Sequence, residues 1–481
     1  MTLNQADGCK FSAKRTIVGV CHHAKQGPII HSQTTTKTCS LPPLYPSECA
    51  ADCVIRTLQE AGFPAFRVGG CVRDRLLGRS VSEVDVATGA PPAAVRSVFP
   101  RTFAVGEAFG VVIVHTQSGE DVEVATFRKE SGYADGRHPA NVEVSDLATD
   151  ARRRDFTVNA LFYDPVAETI FDSVGGRADL RRGIVRAIGD PRERFGEDYL
   201  RMLRAVRFAA SLGFALAPDT RRAMPPLAGH LSAISAERVR DEVTRMLTGP
   251  NPAAAIRLLG DLDLLRVWLP ELDAMRGVPQ PPEYHPEGDV WEHTLLCLEH
   301  VRAPSPELAW SVLLHDVGKP PTLKFKENRV PTFPGHARES AIVSDRILRR
   351  LRSSGKLRKA VHAAAASHMT FRDVRDMRAA KLRRFMARET FNMELELHRI
   401  DCAASHGASD NYVFLLDKCA QFAEEPVLPD PLLDGRDVMQ AGIAEGPEIG
   451  HILRIAREKQ LDGELHTRDQ ALEWLRNQTM S

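Results

Sequence analysis

The stretch from Phe66 to Ala87, FRVGGCVRDRLLGRSVSEVDVA, decides the reading of the chain. Ala65 to Val68 is a short apolar run and predicts a strand. Gly69 and Gly70 follow, and Val72 to Leu77 then reads as one or two helical turns. A strand that passes through a glycine pair into a helix N-terminus presents backbone N–H groups and the positive end of the helix dipole, which suits phosphate. Arg73 in the first turn can add a bidentate grip. Glu83-Val84-Asp85-Val86 alternates acid and valine, so in a strand Glu83 and Asp85 share one face while the valines enter the core. Two carboxylates beside a phosphate cradle suit Mg²⁺, a hard ion that takes oxygen ligands and keeps contact with substrate phosphates. Taken alone the two acids fit a solvated strand better; the glycine pair and the arginine in the same short stretch reverse that preference.

These residues resemble the head-domain signature of the class II tRNA nucleotidyltransferase and bacterial poly(A) polymerase family, within the DNA polymerase beta superfamily. Gly69, Gly70, Arg73 and Asp74 match the Gly-Gly-x-x-Arg-Asp of that family, and Glu83 stands where the first metal-binding carboxylate is usually Asp. The resemblance implies an α+β N-terminal head with a small mixed or antiparallel sheet and helices, followed by an all-α neck, an HD domain and a tail.

The remainder is consistent with this outline. The 481 residues are enough for several domains, and 43% hydrophobic with 26% charged residues is ordinary globular composition. Lys+Arg and Asp+Glu both count 63, so any basic patch for nucleic acid must be local. No run approaches ~18 uninterrupted apolar residues, which argues against a membrane span. Nine cysteines without paired spacing fit a reduced, cytoplasmic setting. Residues 1–47 are rich in Thr, Ser, Lys and His and read as a disordered extension.

Cys49 to Ala61 has helical spacing, Pro91-Pro92 opens a helix to Val98, and two strands near 110–114 and 122–125 form a hairpin about Gly119. Asp121 and Glu123 share a strand face; EVATFR from Glu123 resembles the family strand beside the metal carboxylates, which makes Glu123 a candidate third acid. Lys129 to Val144 is expected to be a mobile loop over the site. DARRRDFTVNAL, 150–161, crowds three arginines before an apolar helix expected at 156–162. It matches the family motif in which Arg154 would contact the triphosphate, with Asp155 and Asn159 ordering the turn. Phe171 to Gly189 reads as a turn-rich linker, and Arg194 to Gly213 as one helix carrying Asp198, Arg201, Arg204 and Arg207 as a polar stripe. By resemblance to Glu-Asp-x-x-Arg, Asp198 and Arg201 would read the base edge of CTP or ATP, and Arg204 and Arg207 would hold phosphates.

Further on, His293, the pair His315-Asp316, His336, His368 and Asp401 follow the order of the HD superfamily of metal-dependent phosphohydrolases. The resemblance implies a divalent ion held by these six, of unspecified identity. The expected organisation is thus an extension at 1–47, a catalytic head at 48–175, a helical neck and body at 176–280 for nucleotide selection and RNA binding, an HD domain at 281–410 and a helical tail at 411–481. The implied function is template-independent addition of CMP and AMP to the 3′ end of tRNA. Catalysis would use Mg²⁺ on Glu83 and Asp85, with Glu123 as a third, assisting acid and Gly70, Arg73 and Arg154 on the phosphates. Poly(A) addition and partial CC or A addition remain alternatives within the same chemistry. A phosphohydrolase whose head merely binds nucleotide is the alternative of another class.

Overall fold

A computed structural model describes residues 36–37, 45–81, 83–104, 110–133, 139–405, 407–424 and 426–479. The extension expected at 1–47 lies almost wholly outside them. The head is built on a mixed eight-stranded sheet. Its strands in chain order are β1 (Thr36–Lys37), β2 (Ala65–Val68), β3 (Asp85–Thr88), β4 (Thr102–Ala104), β5 (Val111–His115), β6 (Asp121–Thr126), β9 (Phe162–Asp164) and β10 (Thr169–Phe171), while β7 (Arg128–Tyr133) and β8 (Pro139–Val144) form a separate hairpin. Across the sheet the order is β1-β10-β9-β2-β3-β6-β5-β4, antiparallel except for the parallel pair β3 and β6.

Helix α1 (Pro46–Glu60) lays Val54, Ile55 and Leu58 on the sheet, as its apolar spacing requires. The same face carries a buried ion cluster. Arg67 of β2 donates to Asp52 through Nε at 2.6 Å and Nη2 at 2.5 Å, and to Glu48 through Nη1 at 2.5 Å. Arg75 of α2 (Gly70–Leu76) reaches the other Glu48 oxygen at 2.8 Å. One cluster therefore fastens helix, strand and glycine turn together.

Four expectations change. The region 129–144 is no loop where it is described: β7 and β8 pair from Arg128↔Val144 to Tyr133↔Pro139. The helix expected at 156–162 is a single 3-10 turn, Thr157–Asn159, followed by β9, because the Phe162 and Tyr163 backbone pairs with β2 and β10. The linker 171–189 contains a helix, Gly176–Arg182. The helix from 194 is broken into Pro191–Glu197 and Leu200–Leu212. Asp198 stands at the break with φ −154°, and its carboxylate accepts the Leu200 N–H at 3.1 Å, so its side chain competes with the helical ladder.

Beyond the head the chain is helical. Helices Ala236–Leu247 and Pro252–Asp261 pack on Leu200–Leu212, and the helices from Val290 to Ser367 continue the same core, while Phe371, Leu382, Phe385 and Phe391 form a separate apolar cluster. Three short helices from Gly435 to Thr479 close around their own apolar cluster of Leu433, Val438, Ile452 and Leu475. Among the described residues no helix is long and apolar enough to cross a membrane.

Candidate functional site

Two sites emerge, a basic cleft between head and neck and a histidine-aspartate cluster among the later helices. The cleft encloses about 390 Å³ and is lined by Gly69, Gly70, Asp85, Asp155, Asn159, Asp198, Phe208 and six arginines, so cations outnumber aspartates two to one. Gly69 adopts φ +80°, which favours glycine, and its N–H is spent on Leu161 O at 3.1 Å. A Cβ there would stand 3.6 Å from Arg154 Nη1, so the turn and that guanidinium are close neighbours. Arg73 is 8% exposed and is steered by Asp74, at 2.9 and 2.8 Å, and by Asn159 Oδ1 at 2.6 Å. Arg154 is held over the Phe162 ring at 5.1 Å and by buried Asp150 at 3.0 and 3.2 Å.

Asp155 fixes the turn between them. Its Oδ1 accepts Phe156 N–H at 2.8 Å and Asn159 Nδ2 at 3.2 Å, which is the ordering role the sequence suggested for this pair. Its Oδ2 takes Arg204 Nε at 2.8 Å. Burial alone would raise this carboxyl; Arg204 outweighs it and holds the value below the ordinary range. Arg204 thus reaches the cleft already paired. Arg207 is not in the lining and binds Glu242 at 2.6 Å.

At the neck end, Arg201 pairs with Glu197 and donates to the Arg194 carbonyl at 2.9 Å and the Arg153 carbonyl at 3.4 Å. Asp198 is gripped by Arg238, at 3.2 and 2.7 Å. Sequence reasoning missed Arg238 and Phe208. Arg238 comes from another helix with no spacing cue, whereas Phe208 stands one turn beyond Arg204 on the same helix. Its ring is covered by the guanidinium groups of Arg73, Arg204 and Arg207 at 5.2, 5.3 and 4.3 Å.

Glu83, Asp85 and Glu123 stand near enough for their charges to act on one another, although β3 begins at Asp85 and Glu83 precedes it. The parallel register that sets Val86 beside Val124 puts Asp85 beside Glu123. Desolvation raises the Asp85 carboxyl, with Arg154 opposing and Glu83 adding. Desolvation, then Asp85 and Glu83, raise Glu123. Two raised carboxyls with a third acid beside them form a site that a hard cation would relieve, and in that sense they fit Mg²⁺. Only Asp85 of the three lines the cleft. Among the described residues, every set of three or more His, Cys, Asp or Glu donors within 4.8 Å of one another lies in the helical half, so the head acids are more widely spaced.

The second site collects all six residues expected of it. His293 Nε2 lies 3.1 Å from Asp401 Oδ1 and 3.7 Å from Asp316 Oδ2, and His315 Nε2 lies 3.3 Å from Asp316 Oδ2. On the other side of Asp316, His336 and His368 each place Nε2 3.6 Å from Oδ1. The Nδ1 atoms of His315, His336 and His368 face the carbonyls of Val312, Phe333 and Ala365 at 2.8 to 2.9 Å. That bond places the proton on Nδ1 and aims each Nε2 lone pair inward, which is the second-layer support a metal-binding histidine needs. His315 Nε2 and Asp316 Oδ1 are buried with no hydrogen-bond partner, so the residues fit a divalent ion. Gly318 lets this form: a Cβ there would come within 2.3 Å of Ser340 N and 2.7 Å of His336 O. Glu287, on His293 Nδ1 at 2.6 Å, and Lys319, on Asp316 at 2.7 Å, were not foreseen.

Comparison with known proteins identifies the domains and the family. Residues 65–186 match the poly A polymerase head domain, 213–276 the probable RNA and SrmB- binding site of polymerase A, and 290–400 the HD domain. A CCA-adding enzyme of Geobacillus stearothermophilus is 46% identical over 220 residues, a match spanning 46% of this chain and 54% of that one. A CCA-adding enzyme of Levilactobacillus brevis is 33% identical over 427 residues, 87% of this chain and 95% of the relative. The crystal structure of the Bacillus stearothermophilus CCA-adding enzyme in complex with CTP superposes with a TM-score of 0.66 at 30% identity, covering 91% of this chain and 99% of the other. The head, the neck and the histidine-aspartate helices are thus shared along almost the whole length, and the chain belongs to the CCA-adding enzymes, a family of nucleotidyltransferases.

Proposed function

We propose that the chain adds CMP and AMP from CTP and ATP to the 3′ end of tRNA, with the basic cleft as the active site. The observation that carries this reading is the cleft's lining: Asp85, the glycine turn, Asp198 and Arg201 share one cavity with five further arginines. A nucleoside triphosphate needs both kinds of partner, cations for its phosphates and a donor and an acceptor for its base edge. The solved relative bound to CTP supports it.

Arg73, Arg154 and the Gly70 backbone bind phosphate, and their prior anchoring by Asn159, Asp150 and Phe162 means little reorganisation accompanies binding. Arg201 uses three of its five N–H donors on Glu197 and two carbonyls, which fixes the guanidinium plane and leaves donors for a base edge. Asp198, oriented by Arg238, accepts from an exocyclic amine. Glu83, Asp85 and Glu123 would hold Mg²⁺, which when bound supplies charge neutralisation for the RNA 3′-hydroxyl and the leaving pyrophosphate. The test is incubation with tRNA lacking its 3′ end and labelled CTP or ATP, followed by sequencing. Ordered C, C, A supports the reading, a long A tail indicates poly(A) addition, and no extension overturns it.

The unpartnered His315 Nε2 and Asp316 Oδ1 favour a second activity, metal-dependent hydrolysis of phosphate esters in the cavity of about 590 Å³ beside them. Hydrolysis lost in His315→Ala with extension retained would establish that the two activities are separate.

A further inference from the structure

His293 and Cys297 stand four residues apart on the helix Val290–Glu299, so both leave the same face. Cys297 Sγ lies 3.5 Å from His293 Nε2, and both residues are fully buried. With His315 and Asp401 they make a set of four donors within 4.8 Å of one another. A tetrahedral ion with a metal–sulfur bond near 2.3 Å and a metal–nitrogen bond near 2.0–2.1 Å holds its S and N donors about 3.5 Å apart. The buried His315 Nε2, which has no hydrogen-bond partner, points to the same missing centre. Across Asp316, the set Asp316, His336 and His368 contains no thiol. Those three residues and Asp401 line the cavity, whereas His293, Cys297 and His315 do not.

We propose that Cys297 is a thiolate ligand to an ion also held by His293, His315 and Asp401, and that this position selects a transition ion such as Zn²⁺, Co²⁺ or Ni²⁺ over Mg²⁺. The inference rests on the reading that the helical cluster binds metal. On binding, the Cys297 S–H bond breaks, a sulfur–metal bond forms, and the proton passes to solvent. Sulfur favours soft and borderline ions, while Mg²⁺ keeps to oxygen.

The test uses the full chain, stripped of metal and reloaded with Co²⁺. The expected result is a near-ultraviolet thiolate-to-cobalt charge-transfer band in the wild type, lost in Cys297→Ser, Cys297→Ala and His315→Ala. The band should persist in Cys71→Ser and Cys402→Ser, whose thiols lie beside Asp85 and Asp401. Zn²⁺ binding by calorimetry should weaken at least about tenfold in Cys297→Ser. Visible cobalt bands that depend on His315 but show no charge transfer would overturn the thiolate ligand while leaving the metal site standing. Absence of His315-dependent cobalt binding would overturn both. Circular dichroism of the metal-free variants separates loss of the ligand from loss of the fold.

Discussion

Replacing Arg238 by alanine should damage nucleotide choice without touching a residue that meets the triphosphate. Arg238 holds both oxygens of Asp198 at 3.2 and 2.7 Å, and the two side chains are 25% and 18% exposed. Charge-assisted bonds of this kind contribute about 1.5–3 kcal/mol, and partial screening places this pair toward ~1.5–2 kcal/mol. At about 1.4 kcal/mol per tenfold, the freed carboxylate should raise the KM for CTP and ATP about 10- to 30-fold, because its ordering must now be supplied by nucleotide binding. Single-nucleotide incorporation on tRNA lacking its terminal residues reads this directly. The KM for tRNA should hold, misincorporation of UMP and GMP should rise, and Arg238→Lys should recover part of the loss. Unchanged nucleotide KM and unchanged selectivity in Arg238→Ala would refute the role given to the pair.

Other consequences follow from the same contacts. Arg67→Ala leaves Asp52 and half of Glu48 buried without their partner, so the head should lose roughly 3–5 kcal/mol in denaturant melts, and a loss under ~1 kcal/mol would count against the cluster as a fastening. Asp155 has a depressed carboxyl, so the unfolded chain binds the proton more tightly; its stabilisation is complete above the unfolded value near 4 and fades as pH falls through the lower folded value. The stability gap between wild type and Asp155→Asn should therefore shrink on acidification below about pH 4, and a gap constant with pH would contradict the ion pair with Arg204. The double variant His315→Ala, Asp316→Ala should lose the divalent ion of the helical cluster, measured by metal analysis, yet extend tRNA at close to the wild-type rate; parallel loss of extension would tie the two sites together.

The sequence displayed its local rules openly. The strand, glycine pair and helix of 65–77 and the alternating valines of 84 and 86 appear as read, because each depends on neighbours in the chain. The six histidine and aspartate residues converge as their order suggested. What stayed hidden depends on tertiary partners. The polar stretch 129–144 pairs with itself in strands, and the apolar run at 156–162 is claimed by the sheet rather than by a helix. The break at Asp198 arises from a side chain capturing a backbone N–H, and its partner Arg238 is 40 residues away. Arg204 and Arg207 look free in sequence, yet Asp155 and Glu242 take them up in the fold. Cys297 carries no cue in the sequence, because His315 and Asp401 reach it from other helices.

The most direct measurement concerns Asp85, which lines the cleft with the glycine turn and Arg154 and has Glu123 on the neighbouring strand. Single-turnover incorporation of CMP into tRNA lacking its 3′ end should fall by about 10³-fold or more in Asp85→Ala, with the melting profile and CTP binding preserved. Incorporation at a rate near wild type in a folded Asp85→Ala protein would contradict the account, since the cleft would then transfer nucleotides without the carboxylate on which it is built.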